Sequence, residues 1–134
     1  MANLIQRVLV RTDLNLPTGL LTAQVAHLHA APFVSTYRIT PSPGTEHGDA
    51  VERIREWVGQ PYMFVHGVPN WDVLNYFTLK AEESSVPFYK WFDTIYLNIS
   101  DTKKEAFEKV FIGISIGPAD SDEIKTIVGD LPLL

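Results

Sequence analysis

Three successive apolar residues, Val8-Leu9-Val10, framed by Arg7 and Arg11, constrain the fold more than any other segment. A strand with one face in water alternates apolar and polar residues, whereas a strand apolar at every position must be covered on both faces. Asn15, Pro17 and Gly19 then break the strand, and Thr18 is placed to cap a helix. Along that helix Leu21, Val25 and Leu28 recur at helical spacing, while Leu20, Gln24, His27 and Ala31 form a second stripe on which two polar side chains share a face.

The rest of the chain alternates in the same manner. Prolines and glycines between Thr40 and Gly48 mark an exposed loop. Asp49 and Glu52 have the spacing of a capping box for a second helix, with Val51, Ile54 and Val58 as its buried stripe and Gly59 as its stop. Tyr62 to Val65 reads as a strand, and Asn70 caps a third helix that buries Val73, Leu74, Phe77 and Ala81. Pro87 opens a longer strand through Leu97. The charged stretch Asp101 to Lys109 predicts a brief amphipathic turn before the strand Val110 to Ile116. Gly117-Pro118 turns the chain into a last helix with a capping box at Asp120 and Glu123, facing inward through Ile124, Ile127 and Val128 and ending at Gly129. The order β-α-α-β-α-β-β-α predicts one layered α/β domain over residues 1–134, with a mixed sheet of four strands covered by helices and its last two strands antiparallel.

Bulk properties narrow the function. With 134 residues, 46% of them hydrophobic, the chain suits one core. No apolar run approaches the ~20 residues of a membrane span, and the N-terminus lacks a secretory pattern, so a soluble, cytoplasmic protein is expected. Zero cysteines exclude disulfides and thiol catalysis. The four histidines, His27, His29, His47 and His66, show no ligand spacing, so no metal is expected. The net charge is −5, yet residues 1–40 carry Arg7, Arg11 and Arg38 against Asp13 alone. Any contact with a polyanion therefore falls to the N-terminal region, and the acidic remainder opposes strong nucleic-acid binding.

The two ends of the chain carry motifs. The first strand runs into Arg11-Thr12-Asp13-Leu14, Gly19, Ala23-Gln24 and His27; the last strand runs into Ile116-Gly117-Pro118, with Gly129-Asp130-Leu131 and an apolar end beyond. Together these resemble the type-2 peptidyl-tRNA hydrolases. The resemblance implies that family's α/β fold, hydrolysis of the ester between a peptide and tRNA, no cofactor, and a homodimer. It also implies Gln24 and His27 on the first helix, with Asp93 found by counting from Pro87, as catalytic residues; Asp101 is the alternative register for the aspartate. Arg11, Thr18, Gly19 and Thr22 are the substrate-binding candidates, with the helix start at Thr18-Gly19 as the better anion site. Three departures stand out. Leu20 replaces the family lysine, Thr22 replaces an alanine, and Thr94-Ile95-Tyr96-Leu97-Asn98 replaces the family's Ala-Gly-x-Thr-Gln.

Each candidate has a plainer reading. Gln24 and His27 suit hydrogen-bonded core or interface positions. Asp93 shares a strand face with Trp91 and Ile95, and is expected to be salt-bridged to Arg11 unless it is a buried carboxyl with a raised pKa. Any catalysis would take Arg7 or Arg11 as its anion partner. The rival functions are a non-catalytic relative that binds a protein partner or small metabolite in the same pocket, and a hydrolase of small esters.

Overall fold

The computed structural model describes the backbone of residues 3–36, 46–99 and 104–134, and the side chains of 3–34, 51–94 and 109–134. The elements are β1 (Leu4–Arg11), α1 (Thr18–Thr36), α2 (Glu46–Val58), β2 (Met63–Val68), α3 (Trp71–Glu83), β3 (Phe88–Ile99), β4 (Lys104–Asp120) and α4 (Ser121–Val128). One four-stranded sheet in the order β2-β1-β4-β3 combines them. β1 runs parallel to β2 from Gln6 opposite Met63 to Arg11 opposite Val68, and antiparallel to β4. β3 and β4 form an antiparallel pair.

The Val8-Leu9-Val10 run is covered on both faces, as its pattern requires. Val8 and Val10 pack under α1 against Leu21, Val25 and Leu28. Ile5 and Leu9 join Leu74, Phe77 and Ala81 of α3 and Ile124, Ile127 and Val128 of α4 on the other face. Full burial of a leucine such as Leu28 or Leu74 stabilises the fold by about 2 kcal/mol. Asn70 caps α3 by accepting from the Val73 N–H at 2.9 Å.

Several local expectations need correction. Thr18 is the first residue of α1 rather than a cap outside it. α2 begins at Glu46, which puts Asp49 inside the helix; Val51 and Ile54 face inward as expected, but Trp57, 1% exposed, joins them in place of Val58, which is 50% exposed. In that position the Trp57 indole N–H donates to the Tyr62 carbonyl at 3.1 Å. Residues 104–109 are not a turn but the start of β4, paired with β3 as far as Lys104 opposite Ile99. Likewise Gly117-Pro118 lies within β4, which continues to Asp120, and a Cβ on Gly117 would come within 2.6 Å of the Ile5 carbonyl oxygen. Asp120 caps α4 through the Asp122 N–H. Thr40 to Thr45, Asp101 and the remainder of the 100–103 connection lie outside the described residues.

Pro32 sits inside α1, where a proline cannot donate to the carbonyl four residues back. That carbonyl belongs to Leu28, and the buried Gln6 of β1 fills the gap. Its amide donates towards the Leu28 and His29 carbonyls at 3.5 and 3.2 Å and to the Ser115 hydroxyl at 2.8 Å, and its own oxygen lies 2.7 Å from His29 Nδ1. The helix therefore accommodates the proline while staying on the sheet.

The two sheet edges differ. At β2 the C-terminus adds a short partner, with the Leu134 N–H donating to the Val65 carbonyl at 2.9 Å and Leu133 bridged to His66. At β3 no further strand pairs with the outer side among the described residues.

Candidate functional site

The second stripe of α1 comes down over the β3 edge of the sheet. Gln24 is 1% exposed, and a buried amide must satisfy both of its ends. Its Nε2 donates to Asp93 Oδ2 at 2.9 Å, and its Oε1 accepts from the Trp91 indole N–H at 2.6 Å. The other Asp93 oxygen accepts from the Thr94 N–H at 2.8 Å. Trp91 and Asp93, two apart on β3, share a face because the extra residue of the local bulge, Ile112, is on β4 and leaves the parity of β3 intact. One turn along α1, the exposed His27 stacks on the Trp91 ring with centroids 4.4 Å apart and planes 16° apart.

The structure thus brings Gln24, His27 and Asp93 together around Trp91. No hydrogen bond joins His27 to Asp93 among the described residues, so the two do not form a proton-relay pair in this arrangement. Asp93 is a half-buried carboxylate held by hydrogen bonds to both of its oxygens, a group of the kind that can hold and deprotonate a water molecule. The sequence places Trp91 on the Asp93 face, but its donation to Gln24 is not visible there. A tryptophan two residues before an aspartate on an edge strand, facing a helical glutamine, was the available signal.

The expected Arg11–Asp93 salt bridge does not form. Arg11 is held instead by Asp13, with contacts of 3.0 and 2.7 Å, and by the Phe111 carbonyl at 3.3 Å. Only Thr12 separates Arg11 from Asp13, and the hydrogen bonds from the Arg11 guanidinium hold the Asp13 carboxyl below its usual range. Arg7 has the parity of Leu9 and lies on the α3 and α4 side of the sheet, over the Phe64 ring and 2.9 Å from His66 Nε2. It stands across the sheet from Gln24 and is no anion partner for Asp93.

The remaining candidates lie at the start of α1. Thr18, Gly19 and Thr22 are exposed, and the Thr22 hydroxyl donates to the Thr18 carbonyl at 2.7 Å, which leaves its oxygen free only to accept. The first intrahelical bond is from the Leu21 N–H to the Pro17 carbonyl, so the N–H groups of Thr18 to Leu20 point out of the helix end unpaired within it. Leu20, where the resemblance implies a lysine, is 39% exposed. Asp93 to Asn98, where the resemblance implies a glycine-containing loop, continue as strand paired to β4.

Beyond His27 a groove of about 670 Å³ opens between α1 and β3, lined by Ala30, Ala31 and Val34 of the helix and by Phe88 to Trp91 of the strand. Among the described residues no cluster of three metal-ligating side chains occurs, and no helix is long and apolar enough to cross a membrane.

Comparison with known proteins agrees with this geometry. The family model for peptidyl-tRNA hydrolase PTH2 matches residues 4–134. The chain is 33% identical over 129 residues to the peptidyl-tRNA hydrolase of Sulfurisphaera tokodaii, with 95% of each protein covered. The match takes in both terminal motifs, the α1 stripe and the β3 edge that carries Asp93, and the chain belongs to the PTH2 family of peptidyl-tRNA hydrolases.

Proposed function

We propose that the chain hydrolyses the ester between a peptide and the terminal ribose of tRNA, with Asp93 as general base. The carrying observation is the hydrogen-bonded series Trp91 to Gln24 to Asp93, which fixes a carboxylate beside an open groove. Water held by Asp93 loses its proton to the carboxylate as its oxygen attacks the ester carbonyl carbon. The tetrahedral intermediate then breaks its bond to the ribose oxygen, which leaves with the proton. Gln24 orients the base, His27 walls the site from its seat on Trp91, and neither a metal nor a cofactor enters the scheme.

Phosphate binding falls to the start of α1. The unpaired N–H groups of Thr18 to Leu20 and the positive end of the helix dipole favour an anion there, about 9 Å along the axis from Gln24. Thr22 adds a hydroxyl on the same turns, and Arg11 lies bound to Asp13 at the end of the neighbouring strand. We place the protein in the cytoplasm as a homodimer, a reading supported by the family's translation substrate and by the exposed Trp71, Tyr76 and Leu79 on α3.

The test is release of labelled N-acetyl-aminoacyl product from its tRNA ester by the purified protein and by Asp93→Asn. Turnover that falls about 10²- to 10⁴-fold in the variant with an unchanged melting temperature supports the assignment. Equal rates in both proteins remove Asp93 from the mechanism. Leu20 in place of the lysine favours a second reading, a relative that binds a ligand in the same groove without cleaving it; absence of turnover by the wild type at high protein concentration selects it.

A further inference from the structure

The groove between α1 and β3 has an unusual wall. Phe88 sends its side chain into the α3 and α4 core, and Lys90 sends its own to Glu82 of α3 at 3.3 Å, so both turn away from α1. What these two residues offer the groove is chiefly main chain. β3 is a sheet edge, and alternate N–H and C=O groups from Phe88 to Asp93 point away from β4 without a partner strand among the described residues. Ala30 and Ala31 on the facing helix are small enough to leave room for another backbone. Four strand residues, Phe88 to Trp91, give the wall a length of about 13 Å.

The groove is continuous with the candidate site, because His27 and Trp91 belong to both. Along α1 the order is the unpaired N–H groups at Thr18 to Leu20, then Gln24 on Asp93, then His27 on Trp91, then the groove beside Ala30 to Val34. An ester laid on Asp93 with its phosphate at the helix start therefore directs its acyl part into the groove. We infer that the peptide portion of the substrate binds there as an added strand on the open edge of β3, held by main-chain hydrogen bonds and not by its side chains. The inference rests on the proposed hydrolysis for the direction of the substrate. The occupant is an extended peptide of any sequence, and main-chain pairing is the recognition mode that an enzyme facing arbitrary peptides needs.

The experiment compares tRNA esters of an N-acetylated tetra-alanine with the same peptide N-methylated at one residue at a time. In an added strand only alternate N–H groups face the partner. N-methylation at one parity should lower kcat/KM about fivefold or more for each bond lost, while methylation at the other parity should leave it unchanged. Equal effects at every position, or none at any, would overturn the inference while leaving hydrolysis itself established. If no ester is cleaved, the proposed function fails separately, and titration of N-acetyl-tetra-alanine amide against the backbone amide signals of Phe88 to Asp93 takes over. Shifts confined to those amides, abolished by methylation at one parity, support strand addition; their absence, or a β3 edge already paired with a second copy of the chain in solution, refutes it.

Discussion

Replacing Gln24 by methionine keeps the volume and removes both hydrogen bonds. A bond to a carboxylate contributes about 1.5–3 kcal/mol when buried, but Asp93 is half-buried and water recovers much of the loss, leaving about 1 kcal/mol. The Trp91 indole N–H, 2.6 Å from Gln24 Oε1, loses its acceptor at a further cost of about 1–2 kcal/mol. The sum, about 2–3 kcal/mol, corresponds to a fall in Tm of roughly 6–12 °C for a chain of this length. Activity should fall further than stability, since a base displaced by ~1 Å costs ~10²-fold.

Gln24→Glu separates orientation from packing. Glutamate still accepts from Trp91, but sets a second carboxylate against Asp93 Oδ2, so the pair retains a proton and one carboxyl is pushed above its unfolded pKa. A raised carboxyl pKa stabilises at low pH and loses that contribution as pH rises through the folded value. The variant should therefore melt near the wild type in acid and progressively below it towards neutrality. Calorimetric melts from pH 4 to 8, with single-turnover hydrolysis on the same samples, make the test. If Gln24→Met melts within about 2 °C of the wild type and hydrolyses normally, the Trp91–Gln24–Asp93 series does not hold the site.

Three other outcomes are expected. Burial lowers the pKa of His66, with Arg7 adding to the shift against hydrogen bonds that the ring donates to the Pro132 and Leu131 backbone, and burial alone lowers that of His29. Both stabilise the fold fully above the unfolded value and lose that contribution as pH falls below it, by up to ~1.4 kcal/mol per pH unit for each proton taken up on unfolding below ~6.5. Urea melts should show this slope, and His66→Gln should reduce it; an unchanged slope would clear His66. Gly113→Ala drives a Cβ into the Leu9 carbonyl oxygen and to 3.0 Å from Leu28 Cδ1, and should cost about 3 kcal/mol, whereas Gly19→Ala, with nothing within 4 Å, should be neutral or gain about 0.5 kcal/mol; chemical denaturation of the two variants distinguishes them, and equal losses would contradict the β1–β4 contact. Leu20→Lys should leave stability within about 0.5 kcal/mol. It should steepen the log–log salt dependence of tRNA binding by about 0.7 if the new cation reaches a phosphate, and an unchanged slope would mean that it does not.

The core of this fold was legible because burial on two faces leaves a mark on composition. Val8-Leu9-Val10 and the Leu21, Val25, Leu28 stripe required a sheet covered by helices, and the mixed sheet formed as that pattern demanded. Gln24, His27 and Asp93 were candidates through the family resemblance, which matched the first two on the α1 stripe and the third by the count after Pro87, and the structure adds Trp91 between them. Charge was the less legible part. Arg11 was expected to pair with Asp93, and in the fold it pairs with its near neighbour Asp13 instead. Charged residues from Lys104 to Lys109 imitate a solvated turn, yet their backbone pairs with β3 as strand. The Gln6 network left a trace in Pro32, since a helical proline requires an outside donor for the carbonyl one turn back, but nothing in sequence says which element supplies it.

The exchange of lysine for Leu20 alters the balance of the site rather than its geometry. Gln24 is fixed by contacts to β3 and Asp93 by contacts to Gln24 and Thr94, none of which involves the first turn of α1. Under the proposed hydrolysis, a cation there would add attraction for phosphate without moving Asp93, so its absence would weaken capture of the tRNA end while leaving the carboxylate in place. The helix N–H groups retain only partial positive charge, screened where they meet solvent. Affinity then depends more on the other end of the substrate, where the groove and the open β3 edge offer contacts independent of charge. With a net charge of −5, the chain would gain more, under the proposed function, from holding its substrate by the peptide than by the phosphates.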